Sequence, residues 1–529
     1  MGNTRFVAWV RREWPTLAII ALGTALQLFL VTRPLGFLLT NIVPDDAFYY
    51  FQIARNVAQG TGSTFDGVNP TNGYHPLWLV VLVPIFKLFS VGGVNDLAPI
   101  RALLALSLVL NTTTALLLAR ILSRFTNSRW IAAFGMLVWL LNPFMLYQTL
   151  NGLETSLALF LFAAFFLLAL RIEEGKNTGL PALALLGCIA GLMIVARLDM
   201  AIYLAAYLGF MLLRRGIKDG WKDVFVTGII ATIPVGIWTV WNLIKFRMIL
   251  TAASATEMMV NHQLIVQDHG ESWLQTGKAV IYHSQYYLDR LFDTTAMYAL
   301  ACGFFGAIVA LYGLQILKLP TKLRSVSVTQ ALAIGFLLLF IANAGIRWTV
   351  REWYFVTFEM FLAILTAVVL DALFPRITYK RMAGIALLLA TVFSFSVYWS
   401  KNMRHTGGAA LQMHAAAMWM NDALPEGTRV GVFNAGTQAY FSKMRVINLD
   451  GLVNNAAYDA MRSYALWQYV RDSQIVYISD FDLYMTYRYK SFFGSDPYNE
   501  MVLVRSVTDT GATPLNIYRV KSVSKDIGI

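Results

Sequence analysis

Residues 41–78 read NIVPDDAFYYFQIARNVAQGTGSTFDGVNPTNGYHPLW, a polar stretch between the first long apolar run of the chain and all the later ones. Two adjacent carboxylates, Asp45 and Asp46, follow directly after that first run, which is long enough to cross a membrane. An ionised side chain beside a bilayer is costly unless it lines a wet cavity or takes part in chemistry. The stretch therefore predicts an active site at Asp45 and Asp46.

The residues after the acidic pair have helical spacing, with Phe48 and Phe51 on an apolar side and Arg55 and Asn56 on a polar side. Such a helix is expected to lie along the membrane surface rather than to cross it. The structural alternative for the acids is a capping role, since Asp is a favoured N-cap residue and negative charge suits the positive end of the helix dipole. Capping and catalysis can coexist in one pair.

The acidic pair with its helix, the glycine-rich loop and the final GYHPLW resemble the first external loop of bacterial GT-C glycosyltransferases. These multi-span enzymes use polyprenyl-phosphate-linked sugars, and the nearest variety is similar to mycobacterial arabinofuranosyltransferases. The resemblance implies inverting transfer of a sugar to a cell-envelope glycan, lipid or protein, with one aspartate as the base. Adjacent acids alternate in direction, so the other acid is expected to bind a cation or to cap the helix. Tyr74 and His75, at the end of the loop, are candidate substrate contacts.

The composition is that of a polytopic α-helical membrane protein. Hydrophobic residues make up 57% of the chain and charged ones only 14%, whereas soluble domains carry about 25% charged residues. The formal charge of +12 does not indicate nucleic acid, because the basic residues fall mainly in short loops between apolar runs. Cys188 and Cys302 lie inside apolar runs and no metal-type Cys/His spacing occurs, so cysteine predicts neither a disulfide nor a metal site.

Apolar runs long enough to span the bilayer predict about eleven crossings. They cover residues 15–35, 101–119, 130–150, 155–170, 179–196, 200–213, 223–244, 294–317, 326–345, 353–373 and 382–400. The run 76–91 is short and carries Lys87, and we interpret it as a juxtamembrane or re-entrant segment. The later basic clusters then fall on the same side as Arg5 and Arg11, as the positive-inside rule requires. We therefore expect a multi-pass protein of the inner (plasma) membrane with a cytoplasmic N-terminus.

This topology places several polar segments on the external face, which are residues 41–99, 151–154, 197–199, 245–293, 347–352 and the region after about 401. From that last point the composition becomes that of a soluble domain. Helices are predicted near 409–423 and 455–471, and strands at Arg429–Phe433, Arg445–Leu449, Ile475–Ile478, Met501–Val507 and Leu515–Val520. The sequence thus predicts a GT-C-like transmembrane catalytic domain over 1–400 and an extracytoplasmic α/β domain over 401–529.

Two further candidates match motifs of the resembled family at the starts of later spans. Glu154 matches a glycine/acid motif, which implies a second acid near the site as an acceptor contact or cation ligand; the alternative is a helix cap. Arg197 and Asp199 resemble an Arg-Pro-Asp turn with Leu198 in place of proline, and a local ion pair is the alternative there. No cofactor is certain, although a divalent cation at Asp46 and Glu154 is left open.

Arginine and lysine side chains supply the candidates for the donor phosphate. Arg347 and Arg351 are four residues apart just before a span, and arginine forks suit phosphate oxygens. Membrane anchoring beside Trp348 and Trp353 is the alternative. Lys245 and Arg247 are the other candidates for the donor phosphate. His75 and His262 are the histidines considered as metal ligands, and Asp450 and Asn454 are weak candidates in the soluble domain.

Two other function classes compete with sugar transfer. A transporter or lipid-sugar flippase should carry ionisable residues near mid-membrane and inverted repeats, whereas the informative charges here cluster at one interface. A lipid-linked glycan ligase or polymerase shares the external face and the arginines, and only the resemblance of the first loop argues against it. The soluble domain has no GxGxxG or GKS/T pattern, so we expect it to close the site or hold the acceptor and not to bind nucleotide.

We predict that a tag at Ile529 is external and a tag at Met1 is cytoplasmic, because only an odd number of crossings satisfies the distribution of basic loops. Protease protection of tagged protein in oriented vesicles measures both positions. Protection of both tags on the same side would contradict this topology.

Overall fold

The computed structural model describes most of the chain, in several stretches. They cover residues 2–89, 96–175, 179–268, 324–345, 351–373, 408–508 and 513–526, with a few isolated residues between them. Two predicted spans, 294–317 and 382–400, lie outside these described residues, as does Arg347.

Helices dominate the chain up to residue 373. They are α1 (Gly2–Val31), α2 (Leu35–Asn41), α3 (Asp45–Ala58), α4 (Pro76–Phe89), α5 (Ala98–Leu122), α6 (Arg129–Leu140), α7 (Pro143–Gln148), α8 (Thr155–Glu173), α9 (Leu180–Ala196), α10 (Ala201–Arg215), α11 (Ile217–Phe246), α12 (Ala252–His262), α13 (Arg324–Gly345) and α14 (Thr357–Leu373). A π-helix, Gln263–Asp268, follows α12 directly. The predicted mostly helical class is confirmed.

Five helices in the described part of the chain are long and apolar enough to cross a membrane. They are Glu13–Val31, Ala98–Leu122, Thr155–Glu173, Ile217–Phe246 and Ser327–Gly345, with shorter apolar helices at Pro76–Phe89, Arg129–Leu140, Leu180–Ala196 and Thr357–Val368. Helix α8 is almost wholly buried among its neighbours, whereas most of α11 is exposed and apolar, as a lipid-facing helix must be. The chain is therefore an integral membrane protein, and the number of crossings stays a prediction.

Two segments of the helical region differ from expectation. The prediction of one continuous span over 130–150 is wrong, because the helix is interrupted between α6 and α7. At the interruption Asn142 accepts a hydrogen bond from the backbone N–H of Phe144 at 3.0 Å. Proline at 143 has no N–H to continue a helix and disfavours a helical residue before it. The polar segment 245–293 contains helical structure, since α11 continues to Phe246 and α12 with its π-helix covers Ala252–Asp268.

The C-terminal region forms the predicted α/β unit around one five-stranded sheet. The strands are β1 (Arg429–Val432), β2 (Arg445–Asn448), β3 (Tyr477–Phe481), β4 (Met501–Val507) and β5 (Leu515–Val520), in the order β2-β1-β3-β5-β4. β1 is parallel to β2 and β3, whereas β5 is antiparallel to β3 and β4. The helices are α15 (Ala409–Ala423), α16 (Ala435–Phe441), α17 (Asn455–Arg462), α18 (Leu466–Asp472) and α19 (Lys521–Asp526). The helix predicted over 455–471 is broken at Tyr464, which has a left-handed backbone with φ +53°.

Helix α3 lies between the helical region and the C-terminal unit. Its Phe48 ring packs 5.4 Å from the rings of both Tyr440 and Phe441 on α16. The guanidinium of Arg55, on the polar side of α3, lies 3.8 Å over the Tyr440 ring and donates a hydrogen bond to the Tyr440 carbonyl at 3.0 Å. The expected helix is present, the C-terminal unit covers its polar side, and its position along the membrane surface stays a prediction.

Two glycines allow the backbones of the two regions to meet. A Cβ atom at Gly436, on α16, would lie 2.2 Å from the carbonyl oxygen of Asp45 on α3. A Cβ atom at Gly73, in the first loop, would lie 1.8 Å from the carbonyl oxygen of Leu452. Neither space can hold a side chain, so the C-terminal unit rests on the first loop through direct backbone contact.

We predict that Gly436→Ala destabilises the protein, because the added methyl group must push α3 and α16 apart. Overpacking of this kind typically costs about 1–3 kcal/mol. Thermal unfolding of purified protein in nanodiscs measures the change. The matched control is Gly209→Ala on α10, where an added Cβ meets nothing within 4 Å. Equal midpoints for the two variants would contradict a tight contact at Gly436.

Candidate active site

The two aspartates of the first loop have different surroundings. Asp45 Oδ2 accepts a hydrogen bond from the backbone N–H of Gly436 at 3.2 Å, and Asp45 Oδ1 accepts one from that of Thr437 at 2.6 Å. These N–H groups belong to the first turn of α16, so Asp45 caps a helix of the C-terminal unit. The N-cap residue of its own helix is Pro44. Burial raises the pKa of Asp45 to about 6, and the bonds from the first turn of α16 hold that pKa below what burial alone would give.

Asp46 is the next residue of α3, half-buried, and makes no hydrogen bond within the described part of the chain. Burial raises its pKa, while the positive charges of Arg351 and Arg488 oppose the rise and the negative charges of Glu257 and Glu154 add to it. The two acids therefore differ, because both carboxylate oxygens of Asp45 accept hydrogen bonds from α16 and those of Asp46 accept none from the described residues.

The charges around Asp46 come from four separate parts of the chain. Arg351 precedes α14 and is exposed, whereas Arg488 belongs to a π-helix of the C-terminal unit, Tyr484–Arg488. Arg488 Nη2 lies 3.1 Å from Glu257 Oε2, and Glu257 lies on α12. Sequence analysis did not select Arg488, because a single arginine in a soluble domain carries no pattern that distinguishes it from a solvated surface residue.

A second group of predicted residues meets around Glu154, which is almost fully buried at 3% exposure. Glu154 Oε1 lies 3.8 Å from His75 Nε2 and 3.8 Å from Arg197 Nε. Burial lowers the pKa of His75 although Glu154 opposes this, which favours the neutral imidazole. His75 Nδ1 is buried without a hydrogen-bond partner in the described structure. The motif residues of the first loop and of the two later spans are thus neighbours.

Arg197 is fully enclosed, with 1% of its surface exposed. Its Nη2 lies 2.8 Å from Asp199 Oδ2, and its Nη1 donates a hydrogen bond to the carbonyl of Trp353. The local ion pair given as an alternative is present. Because Trp353 follows Arg351 by two residues, Arg197 also fixes the backbone beside that arginine.

The remaining predicted phosphate and substrate contacts lie elsewhere or differ from expectation. Tyr74 is buried with its hydroxyl 2.6 Å from Ser63 Oγ and its ring 5.5 Å from that of Trp238, so it packs the loop. Lys245 and Arg247 are exposed at the end of α11. Arg351 has extended backbone with φ −130° and ψ 136°, so the helical spacing that pairs it with Arg347 does not apply at Arg351.

The two candidates in the C-terminal unit, Asn454 and Asp450, have structural contacts in the loop that follows β2. Asn454 caps α17 by accepting hydrogen bonds from Ala456 N at 3.2 Å and Ala457 N at 3.3 Å. Asp450 is 3% exposed, and its Oδ2 accepts a hydrogen bond from the Tyr49 hydroxyl at 3.0 Å. Burial raises the pKa of Asp450 to about 8. Since Tyr49 lies one turn after Asp46 on α3, this contact fixes the helix that carries Asp46.

The site offers few ligands for a metal ion. Among the described residues, no group of three or more His, Cys, Asp or Glu side chains has the arrangement that could hold one. His262, the second histidine considered as a ligand, is exposed on α12. A divalent cation at Asp46 and Glu154 stays a prediction.

Comparison with known sequences identifies two segments. Residues 80–238 match the model of the dolichyl-phosphate-mannose-protein mannosyltransferase family. Residues 401–518 match a domain of unknown function, DUF8728. No curated protein matches the sequence significantly.

Solved structures match over nearly the whole chain. ArnT from Cupriavidus metallidurans, crystallised with undecaprenyl phosphate, superposes with a TM-score of 0.59 at 13% identity, covering 95% of this chain and 98% of ArnT. The Archaeoglobus fulgidus oligosaccharyltransferase tethered to an acceptor peptide gives 0.57 at 11% identity, covering 96% of this chain and 74% of that enzyme. The archaeal oligosaccharyltransferase AglB from Archaeoglobus fulgidus, in complex with an inhibitory peptide and a dolichol-phosphate, gives 0.57 at 12% identity, covering 96% of this chain and 74% of that one. The resemblance that the first loop suggested is thereby confirmed, and the chain has the fold of the GT-C glycosyltransferases.

Proposed function

We propose that this protein is an inverting glycosyltransferase that moves a sugar from a polyprenyl-phosphate donor to a cell-envelope glycan, lipid or protein at the outer face of the plasma membrane. The observation that carries the proposal is the state of Asp46. It is a half-buried carboxylate with no hydrogen bond in the described structure, and it shares its surroundings with Arg351 and Arg488. A base beside cations is what transfer from a lipid phosphate requires.

The reaction assigns a role to each group. Asp46 takes the proton from an acceptor hydroxyl, whose oxygen forms a bond to the anomeric carbon of the donor sugar from the face opposite the phosphate. The bond between that carbon and the phosphate oxygen breaks, and its electron pair leaves with the polyprenyl phosphate. Burial raises the pKa of Asp46, which makes its carboxylate a stronger base at neutral pH. Arg351 compensates the charge that develops on the leaving phosphate.

Asp45 is not the base in this proposal, because both of its carboxylate oxygens already accept hydrogen bonds from α16. Its role is to hold the C-terminal unit against α3. A cluster of three side chains lies next to Asp46 and consists of Glu154, His75 and Arg197, of which His75 is the most exposed. We assign this cluster to binding of the acceptor, since a neutral imidazole and a carboxylate suit hydroxyl groups better than a phosphate.

The relatives support a lipid-phosphate donor. The ArnT structure contains undecaprenyl phosphate, an AglB structure contains a dolichol-phosphate, and the family matched by residues 80–238 is named for dolichyl-phosphate-mannose. The match to an oligosaccharyltransferase supports a second candidate function, that of a ligase that transfers a preassembled lipid-linked glycan. A single transferred sugar and a transferred oligosaccharide differ in product mass, so one assay separates the two candidates.

The proposal predicts that purified protein in nanodiscs converts at least one member of a panel of polyprenyl-phosphate sugars, with loss of the donor and appearance of polyprenyl phosphate. Mass spectrometry of the lipid products measures this.

Arg351→Ala should raise the donor KM about tenfold or more, since a charge-assisted hydrogen bond contributes about 1.5–3 kcal/mol. Arg462→Ala, an exposed arginine of the C-terminal unit whose guanidinium is 3.8 Å from Asp459, is the control. An unchanged donor KM in Arg351→Ala would leave that residue as a membrane anchor.

The two aspartates should respond differently to the same substitution. Asp46→Asn keeps the shape but cannot accept a proton, so turnover should fall about 100-fold to 10,000-fold with donor binding kept. Asp45→Asn replaces one acceptor oxygen of the α16 cap by a donor, so it should lower the unfolding temperature and keep measurable turnover. Turnover and thermal unfolding of both variants provide the comparison. Near-normal turnover in Asp46→Asn would remove it as the base.

A further inference from the structure

The pair formed by Arg488 and Glu257 joins the C-terminal unit to α12 beside Asp46. Arg488 Nη2 donates hydrogen bonds to Glu257 Oε1 at 3.2 Å and to Oε2 at 3.1 Å. The exposed fractions of the two side chains are 22% and 13%, so the pair is accessible from one side. A phosphate oxygen that reaches this open side competes with Glu257 for the donors of the guanidinium.

Hydrogen bonds and chain neighbours connect this pair to Asp46 through a short path. Tyr49, one turn after Asp46, hydrogen-bonds to Asp450. The next residue, Gly451, accepts a hydrogen bond through its carbonyl from Thr256 Oγ1 at 3.1 Å. Glu257 follows Thr256 on α12, and Arg488 lies on Glu257. The electrostatic surroundings agree with the path, because Arg488 and Glu257 both act on the carboxylate of Asp46.

Arg488 is anchored on its C-terminal side. The π-helix Tyr484–Arg488 ends at this residue, and single π-turns occur often at functional sites. The following Tyr489 is buried, with its ring stacked on that of Phe433 at 4.7 Å and 19°, whereas the preceding Tyr487 is 45% exposed. The packing of Tyr489 therefore holds the backbone next to the guanidinium.

We propose that Arg488 is a second ligand of the lipid-linked phosphate, supplied by the C-terminal domain of unknown function and held by Glu257 until the phosphate arrives. The inference rests on the proposed function and adds a residue from outside the membrane region to it. The donor phosphate carries one negative charge as a diester, and the leaving polyprenyl phosphate carries more. Arg488 therefore binds the leaving group more tightly than the donor, which is the difference that accelerates transfer.

The test measures binding of undecaprenyl phosphate to the purified full-length chain in nanodiscs, with undecaprenol as the probe that lacks the phosphate. Arg488→Ala should weaken undecaprenyl phosphate binding roughly tenfold or more, and Arg488→Lys should recover part of it. Glu257→Gln removes the competing carboxylate, so it should leave phosphate binding unchanged or tighter. Arg462→Ala is the matched control in the same domain, and undecaprenol binding should be equal in all variants.

A merely structural ion pair gives a different result. Arg488→Ala and Glu257→Gln would then lower the unfolding temperature alike and affect undecaprenyl phosphate binding alike, which would overturn the inference. Wild-type affinity in Arg488→Ala would also overturn it while leaving the proposed function intact. If the wild-type chain binds undecaprenyl phosphate no better than undecaprenol, both the inference and the proposed function are wrong.

Discussion

The hydrogen bonds from the first turn of α16 to the carboxylate of Asp45 are the constraint on which the site depends. A carboxylate at the positive end of a helix is stabilised by two backbone N–H groups and by the helix dipole. Here the acid and the helix belong to distant parts of the chain, so the cap joins them. Gly436 permits the close approach, and the aromatic rings of α3 and α16 fill the space around it. The contact between Asp45 and α16 therefore also fixes the position of Asp46, the next residue on α3.

Helical geometry explains why adjacent acids can have separate tasks. Consecutive residues of an α-helix are about 100° apart around its axis, so two neighbouring side chains face different surroundings. Asp45 faces α16, and Asp46 faces the charges of Arg351, Glu257 and Arg488. A single acid could not both cap the helix and keep a carboxylate open to substrate. In the proposed function the pair therefore combines a structural acid with a reactive one.

Sequence reasoning succeeded where the determining signal is local. Strands β4 and β5 and helix α15 have the predicted bounds, because short apolar runs between turn residues and amphipathic spacing specify them directly. The acidic pair was selected from its place after a span, and its catalytic role stays a proposal. The break before Pro143 was missed although its signal is also local, since hydropathy was given more weight than proline. Burial of Arg55 and the place of Arg488 could not be predicted, because both depend on contacts between residues hundreds of positions apart.

The burial of α3 has a consequence for biogenesis. Residues 435–441, which cover its polar side, follow α3 by more than two thirds of the length of the chain and are synthesised after it. During that interval Arg55 lacks its place over Tyr440, and α3 has the amphipathic character of a helix that rests on lipid headgroups. The contact between α3 and α16 can therefore form only after the C-terminal unit has been synthesised, which makes it a late step in assembly of the protein.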